Sequence, residues 1–487
     1  MQQMAHMLVN CNEFDLEGLI AVTGKYLNEN SRDEYKRQVH PELFHELIDA
    51  YAKVETNLRL HADGWPTADH LRGIVCSGQP KYGLADVGEG KSSAGSQLIG
   101  AALLKDDARP VYVVVNAGSN TLAQALIDLR NQKPDSVVKA AVAKLRVFEN
   151  GAQDNCGAWI CSEFPDIHWI RSNHQTYGYM GQASARSKTA AGPWNWKPHP
   201  RTHQGQHRWV EENIMRDHGA IGEIYPYRFN GNGFVEGGGT IPWLGLVNKG
   251  LYDIDQPSWG GWSGRFTPDR QPQVWSRHES VRVDERTYDA FAMYTEAVDR
   301  WQDPQDQTIY ENEFAAVWRW RQAMLNNCAA RFDWCVKPFA KANHHPVAAV
   351  DQDSTDAILR RTVAPGQELE FSADRSSDPD QDKLTYRWYF YPEAGAYEGD
   401  LPEITASNSS SCRFPVPQDA AGKELHLILE VSDQNDIVTL TDYRRVVLSV
   451  DGGTAELRPR KNDLGDHEAT SNRIPRPDEI HVDTKGD

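Results

Sequence analysis

The residues best placed to do chemistry stand where apolar runs stop. Val111-Tyr-Val-Val-Val115 is a β-branched run that breaks at Asn116-Ala-Gly118 and resumes as a helical pattern, with Asn120 or Thr121 as the N-cap. Leu145-Arg-Val-Phe148 leads to Gln153-Asp-Asn155. Those amides and that carboxylate suit the vicinal hydroxyls of a sugar, and Asp154 or Asn155 serves equally well as the cap of a helix beginning near Gly157. Thr23-Gly-Lys25 closes an earlier strand over residues 16–22. Such turns set polar side chains and free helix N–H groups at the carboxyl edge of a parallel sheet, where open α/β sheets bind ligands. An ordinary strand-to-helix connection has the same signature. His174 and His218 could each protonate a leaving group, as could others among the 17 histidines. Trp259-Gly-Gly-Trp262 and Arg265 sit among glycines, so Trp262 could offer a flat face to a sugar ring or pack beneath its loop.

The elements that must position these residues alternate. Strand patterns at 16–22, 111–115, 145–148 and 167–170 are interleaved with helical patterns at 41–58, 96–104 and 157–164. This rhythm predicts an α/β domain with an open, mostly parallel sheet and helices on both faces. Residues 184–208 are rich in Trp, His, Pro, Gly and Lys, and read as a long surface insertion carrying Trp194 and Trp196. Residues 310–337 read as helical. From about residue 347 the pattern changes to short alternating strands at 367–371, 384–390, 425–431 and 444–450, which predict a C-terminal antiparallel β-sandwich. The expected divisions are 1–342 for the α/β domain, 343–452 for the sandwich and 453–487 for a polar, disordered tail.

Bulk composition narrows the function classes. The chain has 487 residues, 39% of them hydrophobic, with 15 Trp, which is ample for more than one core. A net charge of −18 without a basic patch argues against a nucleic-acid partner. No apolar run is long enough to span a membrane. The opening residues lack the basic start and apolar core of a secretion signal, and the compartment stays open. The 7 cysteines lack C-x-x-C spacing and read as buried free thiols rather than a zinc site.

A set of short motifs, weak singly, is specific in its order. Glu13-Phe-Asp-Leu-Glu-Gly-Leu-Ile-Ala-Val-Thr23, Gly78-Gln-Pro-Lys-Tyr-Gly83, Lys105-Asp-Asp-Ala-Arg-Pro110 and Gly118-Ser-Asn-Thr-Leu-Ala-Gln-Ala-Leu126 come first. Asp154-Asn-Cys-Gly-Ala-Trp-Ile160, Glu236-Gly-Gly-Gly-Thr240, Trp259-Gly-Gly-Trp-Ser-Gly-Arg265, Ala316-Val-Trp-Arg-Trp-Arg321 and Asp333-Trp-Cys335 follow. Ser376-Ser-Asp-Pro-Asp380 and Tyr386-Arg-Trp388 lie in the second domain. Over nearly all of residues 11–450 the chain resembles the bacterial nucleoside hydrolase-like family labelled cellulose-binding, which joins that α/β domain to an immunoglobulin-like one.

The resemblance implies hydrolysis of N- or O-glycosyl bonds through an oxocarbenium-like transition state, with one Ca²⁺ that lowers the pKa of a bound water. It places the backbone carbonyl of Asn116 and the carboxylate of Glu236 at the metal, although relatives more usually carry an Asp after Glu-Gly. Thr23, Gln153, Asp154, Asn155, His218 and Trp262 become the substrate-binding candidates, and the implied ligand is a carbohydrate or a nucleoside. The family's first strand and its aspartate-rich turn have no counterpart here. Met1-Gln-Gln-Met-Ala-His-Met-Leu8 reads as the helix that follows that turn. The expectation is that the strand precedes the sequence at hand, since a parallel sheet stripped of it would expose an apolar edge. The alternative is a non-catalytic cellulose- or polysaccharide-binding protein with a degenerate hydrolase fold.

Overall fold

A computed structural model describes residues 1–180, 204, 207–227, 233–248, 250–271 and 291–452. The expected insertion with Trp194 and Trp196, and the tail after 452, lie outside the described residues. The chain opens with α1 (Gln2–Leu8), β1 (Leu19–Ala21), α2 (Glu42–Leu58), α3 (Ala68–Gly73), β2 (Val75–Ser77) and α4 (Ala94–Leu104). It continues with β3 (Val111–Val115), α5 (Asn120–Gln132), α6 (Asp135–Lys144), β4 (Leu145–Asn150), α7 (Cys156–Glu163) and β5 (His168–Ser172). β3, β4 and β5 pair in parallel, with Val115 opposite Glu149 and Asn150 opposite Ser172. β6 (Phe266–Gln271) and β7 (Phe291–Glu296) extend this sheet, β7 parallel to β5 and antiparallel to β6, in the order β3-β4-β5-β7-β6. β1 and β2 form a separate parallel pair.

Local chemistry sets the boundaries. Pro41 stands at the N-cap of α2, where its missing N–H costs nothing. Ser93 and Ser96 cap α4 reciprocally through side chain and backbone. At α5 the N-cap is Ser119 rather than Asn120 or Thr121, its hydroxyl turned to the carboxylates of Glu149 and Asp154 and not to the helix. The 310–337 segment is not one helix. β8 (Asp299–Gln302) and β9 (Ile309–Asn312) form a hairpin. Asn312 Oδ1 then accepts the N–H groups of Phe314 and Ala315, starting a new short helix. α8 (Arg321–Asp333) follows.

The second layer system comprises β10 (Leu359–Val363), β11 (Glu368–Ser372), β12 (Leu384–Phe390), β13 (Ser411–Pro415), β14 (Glu424–Asp433) and β15 (Thr441–Val450). One sheet runs β10-β15-β14-β12, and β11 pairs with β13. All pairings are antiparallel except β10 with β15. Trp388, Phe371, Phe414 and Leu427 lie in the sandwich core. A second core packs α4 to α7 on the sheet, through Leu126, Val142, Val147 and Trp169. All seven cysteines are free, and six are buried. Among the described residues no helix is long and apolar enough to cross a membrane.

Candidate functional site

Asn116 and Asn150 follow adjacent, in-register positions at the carboxyl ends of β3 and β4. Both amides face the glycine loop of residues 237–239. A Cβ on Gly238 would lie 2.8 Å from Asn150 Nδ2, and one on Gly239 would lie 3.1 Å from Asn116 Nδ2 and 2.7 Å from Gln3 Cγ. Tyr177 closes the Gly238 side, its ring 2.8 Å from that same Cβ position. Only glycine admits the backbone this close to two amides. Glu236 shapes the loop. Its two carboxylate oxygens accept Gly238 N–H at 2.9 Å and Gly239 N–H at 2.8 Å. Gln153 Nε2 donates to the carbonyl of Asn116 at 2.9 Å, which fixes the β3 end. Among the described residues, Asn116 Oδ1 and Asn150 Oδ1 are buried and meet no hydrogen-bond partner.

A buried polar chain supports this rim from behind. Asp154 Oδ1 accepts Cys156 N–H at 2.9 Å and its Oδ2 accepts Asn120 N–H at 3.1 Å, so one carboxylate caps both α7 and α5. Ser119 Oγ lies 3.1 Å from Asp154 and 3.2 Å from Glu149. Glu149 is further held by Trp169 Nε1 at 3.1 Å and Arg171 Nε at 2.7 Å. One hydroxyl proton cannot serve two carboxylates. Burial pushes Asp154 up to about 6, against the lowering pull of its N–H and hydroxyl donors. A proton on Asp154 completes the relay from Asp154 through Ser119 to Glu149. A Cβ on Gly157 would come 2.4 Å from Glu149 Oε1, so α7 needs glycine to approach β4.

The structure brings together some of the sequence candidates and not others. Asn116, Gln153 and Glu236 meet at the rim. Asp154 lies behind it, and Asn155 Oδ1 accepts Leu84 N–H at 2.9 Å, pinning the loop after β2. Thr23 is fully buried and joins loops: its carbonyl accepts Gly118 N–H at 2.8 Å, and its hydroxyl accepts Asn120 Nδ2 at 2.9 Å. His218 is buried beside Asp333, its Nε2 3.2 Å from that carboxylate, away from the rim. Trp262 is buried edge-on to Tyr443 of the sandwich, so its face is covered by protein. Asn150 and Tyr177 were not singled out from sequence. Asn150 is the last residue of a strand, and its one signal is a polar residue before Gly151 at positive φ.

A family model described as "Cellulose-binding Sde182, nucleoside hydrolase-like domain" matches residues 1–266. A second, "Cellulose-binding protein Sde0182, C-terminal domain", matches residues 368–450. A solved structure of a nucleoside hydrolase-related hypothetical protein from Saccharophagus degradans, associated with carbohydrate metabolism, is 32% identical. The alignment covers 92% of this chain and 96% of that one, with a TM-score of 0.74. The titin M3 and M1 domains align with 22% of the chain at 14% and 18% identity, covering 96% and 98% of their own lengths. Their TM-score of 0.14 supports no inference. No curated protein matches the chain.

Proposed function

We propose, on the premise that this chain belongs to the cellulose-binding Sde182 family with its nucleoside hydrolase-like domain, that the crevice at the carboxyl ends of β3 and β4 binds the hydroxyl-rich face of a carbohydrate. The observation that carries this reading is the pair of buried amide oxygens, Asn116 Oδ1 and Asn150 Oδ1, which find no partner among the described residues. A buried acceptor left unpaired costs about 1–3 kcal/mol. Ligand hydroxyls donate to such acceptors and receive from the adjacent amide N–H groups. The test is depletion of the full chain from solution by insoluble cellulose. Binding is expected, with at least a several-fold loss on Asn150→Ala at unchanged melting temperature. Equal depletion of the variant would remove the crevice from the account.

Hydrolysis of a glycosyl bond at the same crevice is the second reading, favoured by the nucleoside hydrolase-like fold. It requires a carboxylate able to take a proton from water. Glu236 is occupied by two loop N–H groups, Glu149 by Arg171 and Trp169, and Asp154 by two helix N-termini. Each of these three is engaged, so none of them is the base this reading needs. Calcium takes roughly six to eight oxygens. Asn116 and Glu236 provide too few, and the Asn116 carbonyl already accepts Gln153. These two residues do not by themselves fit the ion. Titrating Ca²⁺ into chelator-treated protein, with Glu236→Ala as control, tests this: heat lost in the variant would restore a metal-dependent hydrolase.

A further inference from the structure

His61 and His344 stand 283 residues apart in sequence, yet their side chains meet in the interior. His61 Nδ1 lies 2.9 Å from His344 Nε2, with ring centres 5.2 Å apart and planes 26° from parallel, so the rings touch edge to edge. The outer nitrogens are engaged as well. His61 Nε2 lies 2.8 Å from the carbonyl oxygen of Lys337, and His344 Nδ1 lies 2.9 Å from Asp380 Oδ2. The backbone N–H of His344 donates to that same oxygen at 2.8 Å. The row ties the turn after α2 to the residues after α8 and to the β11–β12 loop of the sandwich.

This row holds one proton more than two neutral rings and a carboxylate. A carbonyl oxygen only accepts, so His61 Nε2 carries hydrogen. A neutral imidazole has a single N–H, which leaves His61 Nδ1 a bare acceptor. Beside an ionised Asp380, His344 Nδ1 must donate, and a neutral His344 would then turn a second bare lone pair toward His61. Two lone pairs 2.9 Å apart repel, so the contact needs a further proton between the rings. Were Asp380 the protonated member, its O–H would donate to His344 Nδ1 and His344 Nε2–H to His61, and the count would be the same.

The surroundings suit that charge. Trp334 lies 5.1 Å from His61 with 8° between planes, and Phe339 lies 3.9 Å from His344 with 18° between planes. Aromatic faces attract a cation laid against them. On the sandwich side, Asp378 and Asp382 stand within 4.8 Å of Asp380 and add negative charge. Arg331 of α8 opposes the proton but is paired with Glu13 at 2.6 Å, and Lys337 is paired with Asp333 at 2.7 Å. His345 turns to Asn327 at 2.9 Å. Burial holds His61 below the ordinary histidine value, which makes it the acceptor of the shared contact.

We propose that His61 and His344 form a proton-binding site that fastens α2 and the end of α8 to the sandwich: the contact closes with one proton held between the rings and opens when rising pH removes it. Unfolded histidines release their proton near about pH 6.5. A folded pair that keeps one therefore stabilises the protein fully below that pH, and the contribution is lost as pH rises until the pair lets go. The inference holds whether or not the crevice binds a carbohydrate.

The first test is heteronuclear NMR of the histidine-labelled full chain at about pH 6, with His61→Phe and His344→Phe identifying the resonances. One of the two facing nitrogens, His344 Nε2, is expected to carry hydrogen while His61 Nδ1 does not. Hydrogen on neither facing nitrogen, or on both, would overturn the proposal. The second test compares melting temperatures of the full chain and His61→Phe, which keeps a flat ring but holds no proton. The variant is expected to melt at least about 2 °C lower at about pH 6, with the gap closed by about pH 9. A gap that is the same at both values, zero included, would also overturn it. Asp154 is common to both proteins and cancels from the difference. Should His61→Phe not fold, His344→Phe alone identifies the resonances and the NMR result decides. No readout involves a sugar, so failure here is separable from failure of the carbohydrate reading.

Discussion

Asp154 joins two helix starts to one strand end, and its burial makes the fold sensitive to pH. Its folded value of about 6 stands above the ordinary 3.8, so between about pH 4 and 6 the folded state binds more protons than the unfolded one. The contribution is full below pH 4 and is lost as pH rises through 6, up to ~2–3 kcal/mol. Urea midpoints measured across that window should fall with rising pH from this group, and Asp154→Asn should flatten that part of the profile. Glu149 is a different case, a fully buried carboxylate against the equally buried Arg171. Glu149→Ala removes the carboxylate on which Arg171 Nε, Trp169 Nε1 and Ser119 Oγ converge and should cost about 3–5 kcal/mol in chemical denaturation. At this scale Asn116, Gln153 and Asp154 were legible because each follows the break of a β-branched run. Asn150 was hidden inside a strand. Trp262 and His218 misdirected the reading because glycine-flanked tryptophan and an isolated histidine look alike whether they face solvent or another domain.

Glycines decide how closely the elements approach. A Cβ on Gly118 would lie 2.3 Å from Asp154 Oδ2 and 2.8 Å from Thr23 O. Gly118→Ala must therefore part the β1 and β3 loops, and is expected to cost about 1–3 kcal/mol and to weaken polysaccharide binding, as melting and depletion assays would show together. Unchanged stability would mean that the loops separate freely. The strands β3, β4 and β5 and the helices α5 and α7 were readable from pattern, whereas α6 (Asp135–Lys144) was not. The β8–β9 hairpin and the parallel pairing of β10 with β15 were not: the hairpin's strands are four residues each and largely polar, and β10 and β15 lie far apart in sequence, which leaves no local pattern. The helix starting at Ala315 was missed for a similar reason: Asn312 ends a strand and caps a helix at once.

Across the whole molecule, the glycine-tryptophan motif is a seam between the two domains. Arg445 of β15 is fully buried, and its guanidinium donates to the carbonyls of Leu251, Trp259 and Gly260 at 2.9–3.0 Å. Asp299 lies beside Arg265 and Arg319 and accepts the Tyr391 hydroxyl at 2.6 Å. Gly260 holds a positive φ of 72°, and a Cβ there would meet that hydroxyl at 2.5 Å. This explains why Trp259 and Trp262 are covered rather than offered to a ligand. Arg445→Ala strips three buried carbonyls of their donor and should uncouple the domains, turning one calorimetric unfolding transition into two; a single transition at the original temperature would show that the seam carries little coupling. The change of periodicity near residue 347 was legible in the sequence, but the contacts made across it were not, since Arg445 reaches carbonyls nearly two hundred residues away. Calorimetric titration of a soluble cello-oligosaccharide into the full chain and its Asn150→Ala variant probes the crevice itself. Saturable heat from the full chain, reduced at least ~10-fold in affinity by the variant, about one buried hydrogen bond, is the predicted result. The same affinity in both would contradict the account.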